Sequence, residues 1–122
     1  MKVFIVENST FVRDVLIRAL GGLAGIAVCG HAAQSAAALE QILRLQPDAV
    51  ILDLRGGGVD VLRAIEKQQS PPAVLVFSGD IALREASLAN VSYFFDKSTG
   101  FLEMVAALKR LATGAGVGSV EE

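Results

Sequence analysis

Residues 49–55 of the chain read AVILDLR. A continuous run of Ala, Val, Ile and Leu is typical of a strand that is buried on both faces of a parallel sheet. An aspartate that ends such a run is costly to bury unless it has a chemical task. The stretch therefore predicts a buried strand over residues 49–54 and a functional carboxylate, Asp53, near its carboxyl end.

Four further apolar runs share this character and lie at residues 3–6, 26–29, 73–77 and 91–95. Segments with the apolar spacing of amphipathic helices separate them, and the clearest stripe is Phe101, Met104, Val105, Leu108, Leu111 and Ala112. Strict alternation of strands and helices favours right-handed crossovers and helices on both faces of one sheet. The predicted fold is α/β, a doubly wound five-stranded parallel sheet with a (βα)5 pattern.

Length and composition limit the range of functions. The 122 residues suit one compact domain, which we expect over residues 1–113, followed by a flexible glycine-rich tail over residues 114–122. A net charge of −2, with the basic residues scattered, argues against direct nucleic-acid binding. The longest uncharged stretch, residues 19–39, holds four glycines and several polar residues, so we expect no membrane span. The short apolar start is unlike a signal peptide, and we expect a cytoplasmic protein.

Polar residues follow the predicted strands at their carboxyl ends. These are Glu7 and Asn8 after the first strand, Gly30 and His31 after the second, Asp53 on the third, Ser78 after the fourth, and Asp96 and Lys97 after the fifth. Open α/β sheets bind their ligands at this edge, because the carboxyl ends of parallel strands lie side by side. We therefore expect one site built from these side chains.

The chemistry of the set indicates phosphoryl transfer. Glu7 and Asp53 would place two carboxylates close together, which is costly unless a cation neutralises them, and hard oxygen ligands favour Mg²⁺. A carboxylate beside Mg²⁺ can attack a phosphoryl group, while a lysine and a hydroxyl stabilise the oxygens of that group. Asp53, Lys97 and Ser78 fit those three parts.

With these motifs the chain resembles the receiver domain of bacterial two-component response regulators, over nearly its whole length. The resemblance rests on VILDLR around Asp53, VLVFSGD around Ser78 and YFFDKS around Lys97. It implies a flavodoxin-like sheet with strand order 2-1-3-4-5. It also implies that Asp53 is the phosphoacceptor, that Lys97 contacts the phosphate, and that Ser78 and Phe94 switch on activation. The Mg²⁺ ligands that it implies are Glu7, Asn8, Asp53 and the backbone carbonyl of Arg55.

Two features depart from the family pattern. Asn8 stands where the family has a second acidic residue, so an uncharged amide replaces a carboxylate ligand. The loop after Asp53 reads RGGGVDVL, which is shorter than usual and lacks the family's proline. We expect the third helix to begin early and interpret residues 56–58 as a flexible linker.

The resemblance implies a substrate and switch, and we expect no enzyme. The phosphoryl donor would be a histidine kinase or phosphotransfer protein, the output an unknown downstream protein, and a homodimer is a further family trait. The alternative is a pseudo-receiver that has lost Mg²⁺ binding and acts as a phosphorylation-independent interaction module. A flavin- or nucleotide-binding enzyme would need a phosphate-binding glycine loop after the first strand, and ENSTFVRD contains no glycine.

Overall fold

The computed structural model describes residues 1–79 and 93–114. Its elements in chain order are β1 (Lys2–Val6), α1 (Thr10–Gly21), β2 (Ala27–Ala32), α2 (Ser35–Leu45), β3 (Ala49–Leu52), α3 (Gly58–Glu66), β4 (Ala73–Ser78), β5 (Tyr93–Asp96) and α4 (Phe101–Thr113). The helix predicted between the fourth and fifth strands, and the predicted tail beyond residue 114, lie outside the described residues.

The strands form one parallel sheet in the order β2-β1-β3-β4-β5. This confirms the predicted order. β1 and β3 lie in its centre, and their apolar runs are buried from Val3 to Val6 and from Ala49 to Leu52. Continuous apolar strands suit this position because helices cover both faces.

An apolar core lies on each face of the sheet, as a doubly wound fold requires. On one face, Leu16 and Leu20 of α1 and Leu108 of α4 pack against alternate strand residues such as Ile5. The other core contains Phe4 together with residues of α2 and α3. Neighbouring residues of β1 thus point to opposite cores, which is the period-two alternation of a strand.

The second strand is longer than predicted. The expected range of 26–29 ends the strand at Cys29, whereas β2 continues to Ala32, so that Gly30 and His31 lie inside the strand. The prediction that these two residues leave the strand is wrong. An irregularity in the β1–β2 register falls between Val3 and Phe4. Gly30 lies so close to Phe4 that a Cβ would come within 2.8 Å of the ring, so a larger residue at this position of the strand would force the ring to shift.

The glycine turn after Asp53 has a defined shape. Gly56 and Gly57 have φ of 62° and 90°, which glycine adopts at little cost, and α3 begins at once with Gly58. A Cβ on Gly58 would lie 2.0 Å from the carbonyl oxygen of Asp53. The early start of α3 is confirmed. Gly58 belongs to this helix and not to a linker, and its packing against the Asp53 carbonyl leaves room only for glycine, while the flexibility expected of Gly56 and Gly57 stays a prediction.

Within residues 1–79 and 93–114, no helix combines the length and the hydrophobicity that crossing a membrane would require. α1 begins at Thr10, because the Ser9 side chain accepts a hydrogen bond from the backbone N–H of Val12 and so caps the helix. This cap fixes the chain directly after Glu7 and so helps to position the end of β1.

Candidate functional site

Three buried polar side chains lie at the carboxyl ends of the central strands. Glu7 follows β1, Asp53 follows β3, and Ser78 ends β4; their exposed fractions are 2%, 3% and 1%. They are the buried polar or charged residues in the part of the chain that the structure describes. Burying such groups is unfavourable unless each has a partner, so their clustering marks this edge of the sheet as the candidate site.

Lys97 supplies the positive charge of the site. Its ammonium lies 2.9 Å from Oε2 of Glu7 and 3.0 Å from Oδ2 of Asp53. Burial alone lowers the pKa of Lys97, but its hydrogen bonds to Glu7 and Asp53 and their negative charges outweigh this effect, so the pKa lies above its ordinary value. The lysine therefore stays charged and neutralises part of the carboxylate pair.

The second oxygen of Asp53 meets two other donors. Oδ1 accepts a hydrogen bond from the backbone N–H of Arg55 at 3.1 Å. The hydroxyl of Ser78 donates to the same oxygen at 3.4 Å, near the long limit for a hydrogen bond. The carboxylate is thus oriented by its own loop, by β4 and by the lysine that follows β5.

Two residues that the sequence analysis did not single out hold Glu7 in place. The backbone N–H of Ser9 donates to Oε2 of Glu7 at 3.0 Å, and Arg13 donates through Nη1 to the carbonyl oxygen of Glu7 at 2.8 Å. Arg13 lies one turn into α1, so its side chain can reach back to the strand end. The sequence contained one sign of this contact, because Arg13 is a basic residue in the first turn of the helix that follows β1.

The remaining predicted groups, which are the Asn8 side chain, the Arg55 carbonyl and the Phe94 ring, make no hydrogen bond to either carboxylate of the cluster among the contacts that the structure describes. Asn8 is exposed, between the buried Glu7 and the capping Ser9. The carbonyl oxygen of Arg55 accepts a hydrogen bond from the backbone N–H of Gly58 at 3.2 Å within the glycine turn. Phe94 is partly buried and packs against the core on the α2 and α3 face.

The fit to a divalent cation can be judged from the carboxylates. One ammonium contacts an oxygen of Glu7 and an oxygen of Asp53, so both carboxylates converge on a position that one cation can share. In residues 1–79 and 93–114 no group of three or more His, Cys, Asp or Glu side chains could hold a metal. Mg²⁺ binds through one or two carboxylates and keeps several waters, so this pair suits it.

A comparison with known protein families decides the family. The model for the response regulator receiver domain matches residues 3–109. The chain belongs to this family. The match confirms the resemblance to receiver domains of two-component systems that the motifs around Asp53, Ser78 and Lys97 indicated.

Similar proteins include two longer chains. The chain is 35% identical over 116 residues to protein-glutamate methylesterase/protein-glutamine glutaminase 5 of Myxococcus xanthus, covering 93% of this chain and 32% of that protein. It is 28% identical to the DNA-binding transcriptional activator DevR/DosR of Mycobacterium tuberculosis, covering 93% of this chain and 55% of that protein. The chain thus spans about a third to about half of the length of these relatives.

Solved receiver structures have the same fold. The signal receiver domain of the response regulator NarL from Mycobacterium tuberculosis superposes with a TM-score of 0.80 at 29% identity, covering 93% of this chain and 96% of that one. A LuxR-family two-component response regulator from Aurantimonas gives a TM-score of 0.77 at 26% identity, covering 93% and 85%. The flavodoxin-like receiver fold is therefore confirmed.

Proposed function

We propose that Asp53 accepts a phosphoryl group from the phosphohistidine of a histidine kinase or phosphotransfer protein, in the cytoplasm. The observation that carries the proposal is the position of the Asp53 carboxylate, which is 3% exposed and lies between the Lys97 ammonium and the Ser78 hydroxyl. A buried carboxylate with a cation and a hydroxyl on its two oxygens has the parts that phosphoryl transfer needs.

The chemistry balances with the groups present. An oxygen of Asp53 forms a bond to phosphorus as the bond between phosphorus and the donor imidazole nitrogen breaks, and the imidazole leaves and takes up a proton from water. The Lys97 ammonium and the Ser78 hydroxyl donate to the phosphoryl oxygens. When bound by Glu7 and Asp53, Mg²⁺ would neutralise charge on the transferring group. Asn8 and the Arg55 carbonyl are the further ligands that the family pattern suggests.

The signal would leave the site through Ser78 and Phe94. Phosphoryl oxygens would draw the Ser78 hydroxyl toward Asp53, and the partly buried Phe94 would turn into the vacated space, because packed interiors change between discrete arrangements. The altered surface would comprise β5, α4 and the preceding residues 81–92, and it would bind an unknown downstream protein. Amide shifts on adding a phosphoryl mimic should reach residues 93–112; shifts confined to the loop around Asp53 would argue against this switch.

The alternative function is that of a pseudo-receiver, and two features of the chain would be compatible with it. Asn8 brings no charge to the metal, and the Arg55 carbonyl already accepts a hydrogen bond from Gly58. A pseudo-receiver with weakened metal binding, acting as a phosphorylation-independent interaction module, would show these features. The difference from the first proposal that is simplest to measure is that a pseudo-receiver accepts no phosphoryl group.

Intact-mass analysis after incubation with acetyl phosphate and Mg²⁺ separates the two functions. The wild-type protein should gain one phosphoryl group, which hydroxylamine removes, and Asp53→Asn should gain none. Asp60→Asn is the matched control, because Asp60 is an exposed carboxylate nearby in sequence and should leave labelling unchanged. An unlabelled wild-type protein would favour the pseudo-receiver.

A further inference from the structure

Lys97 lies in a short turn between β5 and α4, where residues 96–100 read DKSTG. Oδ1 of Asp96 accepts hydrogen bonds from the backbone N–H of Ser98 at 2.8 Å and from the Ser98 hydroxyl at 2.5 Å. A carboxylate that accepts from the backbone N–H two residues further on forms an Asx-turn. Lys97 is the middle residue of this turn, so the Asp96 side chain constrains the backbone from which the lysine projects.

The main chain of Asp96 closes the same loop. Its carbonyl oxygen accepts hydrogen bonds from the backbone N–H of Thr99 at 3.2 Å and from that of Gly100 at 2.7 Å. A Cβ on Gly100 would lie 2.9 Å from this oxygen and 3.0 Å from the Cβ of Phe95, closer than a Cβ normally approaches other atoms. The loop is therefore folded tightly back onto Asp96 before α4 begins.

The turn is also tied to the neighbouring strand. The backbone N–H of Lys97 donates to the carbonyl oxygen of Ser78 at the end of β4, at 3.2 Å. From there the side chain reaches the site, where its ammonium lies 3.0 Å from Oδ2 of Asp53. A lysine stem is flexible, so the direction in which it leaves the main chain decides how often the ammonium reaches that oxygen. The Asx-turn sets this direction.

We propose that Asp96 is a positioning residue of the site, and that its side chain holds the turn that directs Lys97 at the phosphoryl group on Asp53. The inference rests on the proposed function and deepens it, because it names a residue that acts on the transfer through the lysine. Such placement matters for catalysis, since a shift of about 1 Å in a catalytic group can slow a reaction about 100-fold.

The hydrogen bonds of Asp96 can be separated from its negative charge by two substitutions. Asparagine keeps the acceptor oxygen and can close the same Asx-turn, but it carries no charge. Alanine has neither the acceptor nor the charge. If Asp96 acts by holding the turn, Asp96→Asn should behave like the wild-type protein and Asp96→Ala should not.

The rate constant for labelling with acetyl phosphate and Mg²⁺, followed by intact mass, tests the proposal. Asp96→Ala should lower it about 10-fold, and Asp96→Asn should keep at least about half of the wild-type value. Glu103→Ala is the matched control, because it removes an exposed carboxylate from the first turn of α4 and should change the rate by less than about twofold. Equal rates for the wild-type protein and Asp96→Ala, or an Asp96→Asn as slow as Asp96→Ala, would overturn the proposal.

A double-mutant cycle shows whether Asp96 acts through the lysine. In a Lys97→Met background no ammonium remains to be directed, so adding Asp96→Ala should change the residual rate by less than about twofold. A further loss of about 10-fold in that background would mean that the turn supports the fold alone, and would overturn the proposal. An unlabelled wild-type protein would refute the proposed function together with the inference, whereas a labelled wild-type protein matched by Asp96→Ala would refute the inference alone.

Discussion

Two aspartates flank β3, and their surroundings differ. Asp48 precedes the amino end of the strand, is exposed, and accepts a hydrogen bond from the backbone N–H of Lys2 at 2.7 Å. Asp53 follows the carboxyl end, is buried, and meets the ammonium of Lys97, the hydroxyl of Ser78 and the backbone of Arg55. An aspartate at the amino end of β3 thus contacts one backbone group, whereas an aspartate at its carboxyl end contacts groups from three different parts of the chain.

The difference separates a structural carboxylate, Asp48, from Asp53, the carboxylate for which we propose a chemical role. Asp48 satisfies a backbone donor at the start of β1, and solvent can replace much of what it provides. Asp53 is desolvated beside a second carboxylate, which costs stability and is maintained by contacts from distant parts of the chain. Residues that cost the fold stability and yet attract several oriented partners are candidates for chemistry.

The largest effect is expected where the chain packs against the backbone of Asp53. Gly58→Ala should lower the free energy of unfolding by about 3 kcal/mol or more, because the new Cβ would meet the Asp53 carbonyl oxygen and force the turn to move. Gly21→Ala is the control, since nothing lies within 4 Å of a Cβ there. Urea denaturation measures both, and equal stabilities would show that the turn after β3 is not closely packed.

Neutralising each flanking aspartate should change stability with opposite sign. In metal-free buffer, Asp53→Asn should raise the free energy of unfolding by about 1 kcal/mol, because one ammonium then serves one buried carboxylate. Asp48→Asn should lower it by about 0.5 kcal/mol or less, since an amide oxygen can still accept the Lys2 N–H. Thermal melts compare them. If Asp53→Asn lowered the free energy of unfolding by as much as Asp48→Asn or more, the two ends of β3 would not differ in the way described.

A third carboxylate beside Glu7 and Asp53 should raise the affinity of the proposed site for Mg²⁺. Asn8→Asp should tighten Mg²⁺ binding about 3- to 10-fold and destabilise the metal-free protein, because Asn8 is exposed and water weakens the added charge. Gln69→Glu adds the same charge in the exposed turn before β4, at the other end of the sheet. It should change neither the Mg²⁺ affinity nor the stability of the metal-free protein. If Asn8→Asp also left both quantities unchanged, the side chain at position 8 would not face the site.

The smallest effect is a pH dependence. Since the folded-state pKa of Lys97 is raised, its contribution to stability is fully present below the unfolded-state value and is lost as pH rises through the folded-state value. Between about pH 9 and about pH 11, the metal-free wild-type protein should therefore lose slightly more stability than Lys97→Met. Parallel melting curves of the two proteins over this range would show that the lysine contributes nothing at rest.

Much of the fold was predictable because its signals are local. Five apolar runs separated by helical stripes fix a doubly wound sheet, and the polar residues that end those runs identify the site at its carboxyl edge. Asp53, Ser78 and Lys97 could be named in advance, because parallel strands bring their carboxyl ends together wherever they lie in the chain.

The rest depends on packing that a linear pattern does not contain. Gly30 and His31 look like loop residues, yet β2 runs through them because Gly30 fits against the Phe4 ring. Residues 56–58 look flexible, yet the turn needs Gly58 at the Asp53 backbone. The simultaneous contact of Lys97 with both carboxylates is a property of distances among three strand ends, and no spacing in the sequence encodes it.

Phosphoryl transfer to the carboxyl end of β3, and not to its amino end, can be tested within one peptide. Trypsin releases residues 45–55, LQPDAVILDLR, which contain both Asp48 and Asp53. After treatment with acetyl phosphate and Mg²⁺, borohydride reduces an acyl phosphate to the alcohol, converting that aspartate to homoserine, and fragmentation in the mass spectrometer locates it. Phosphorylation of Asp53 should give homoserine at position 53 alone; homoserine at position 48, or an unmodified peptide, would show that the carboxyl end of β3 is not where the phosphoryl group is accepted.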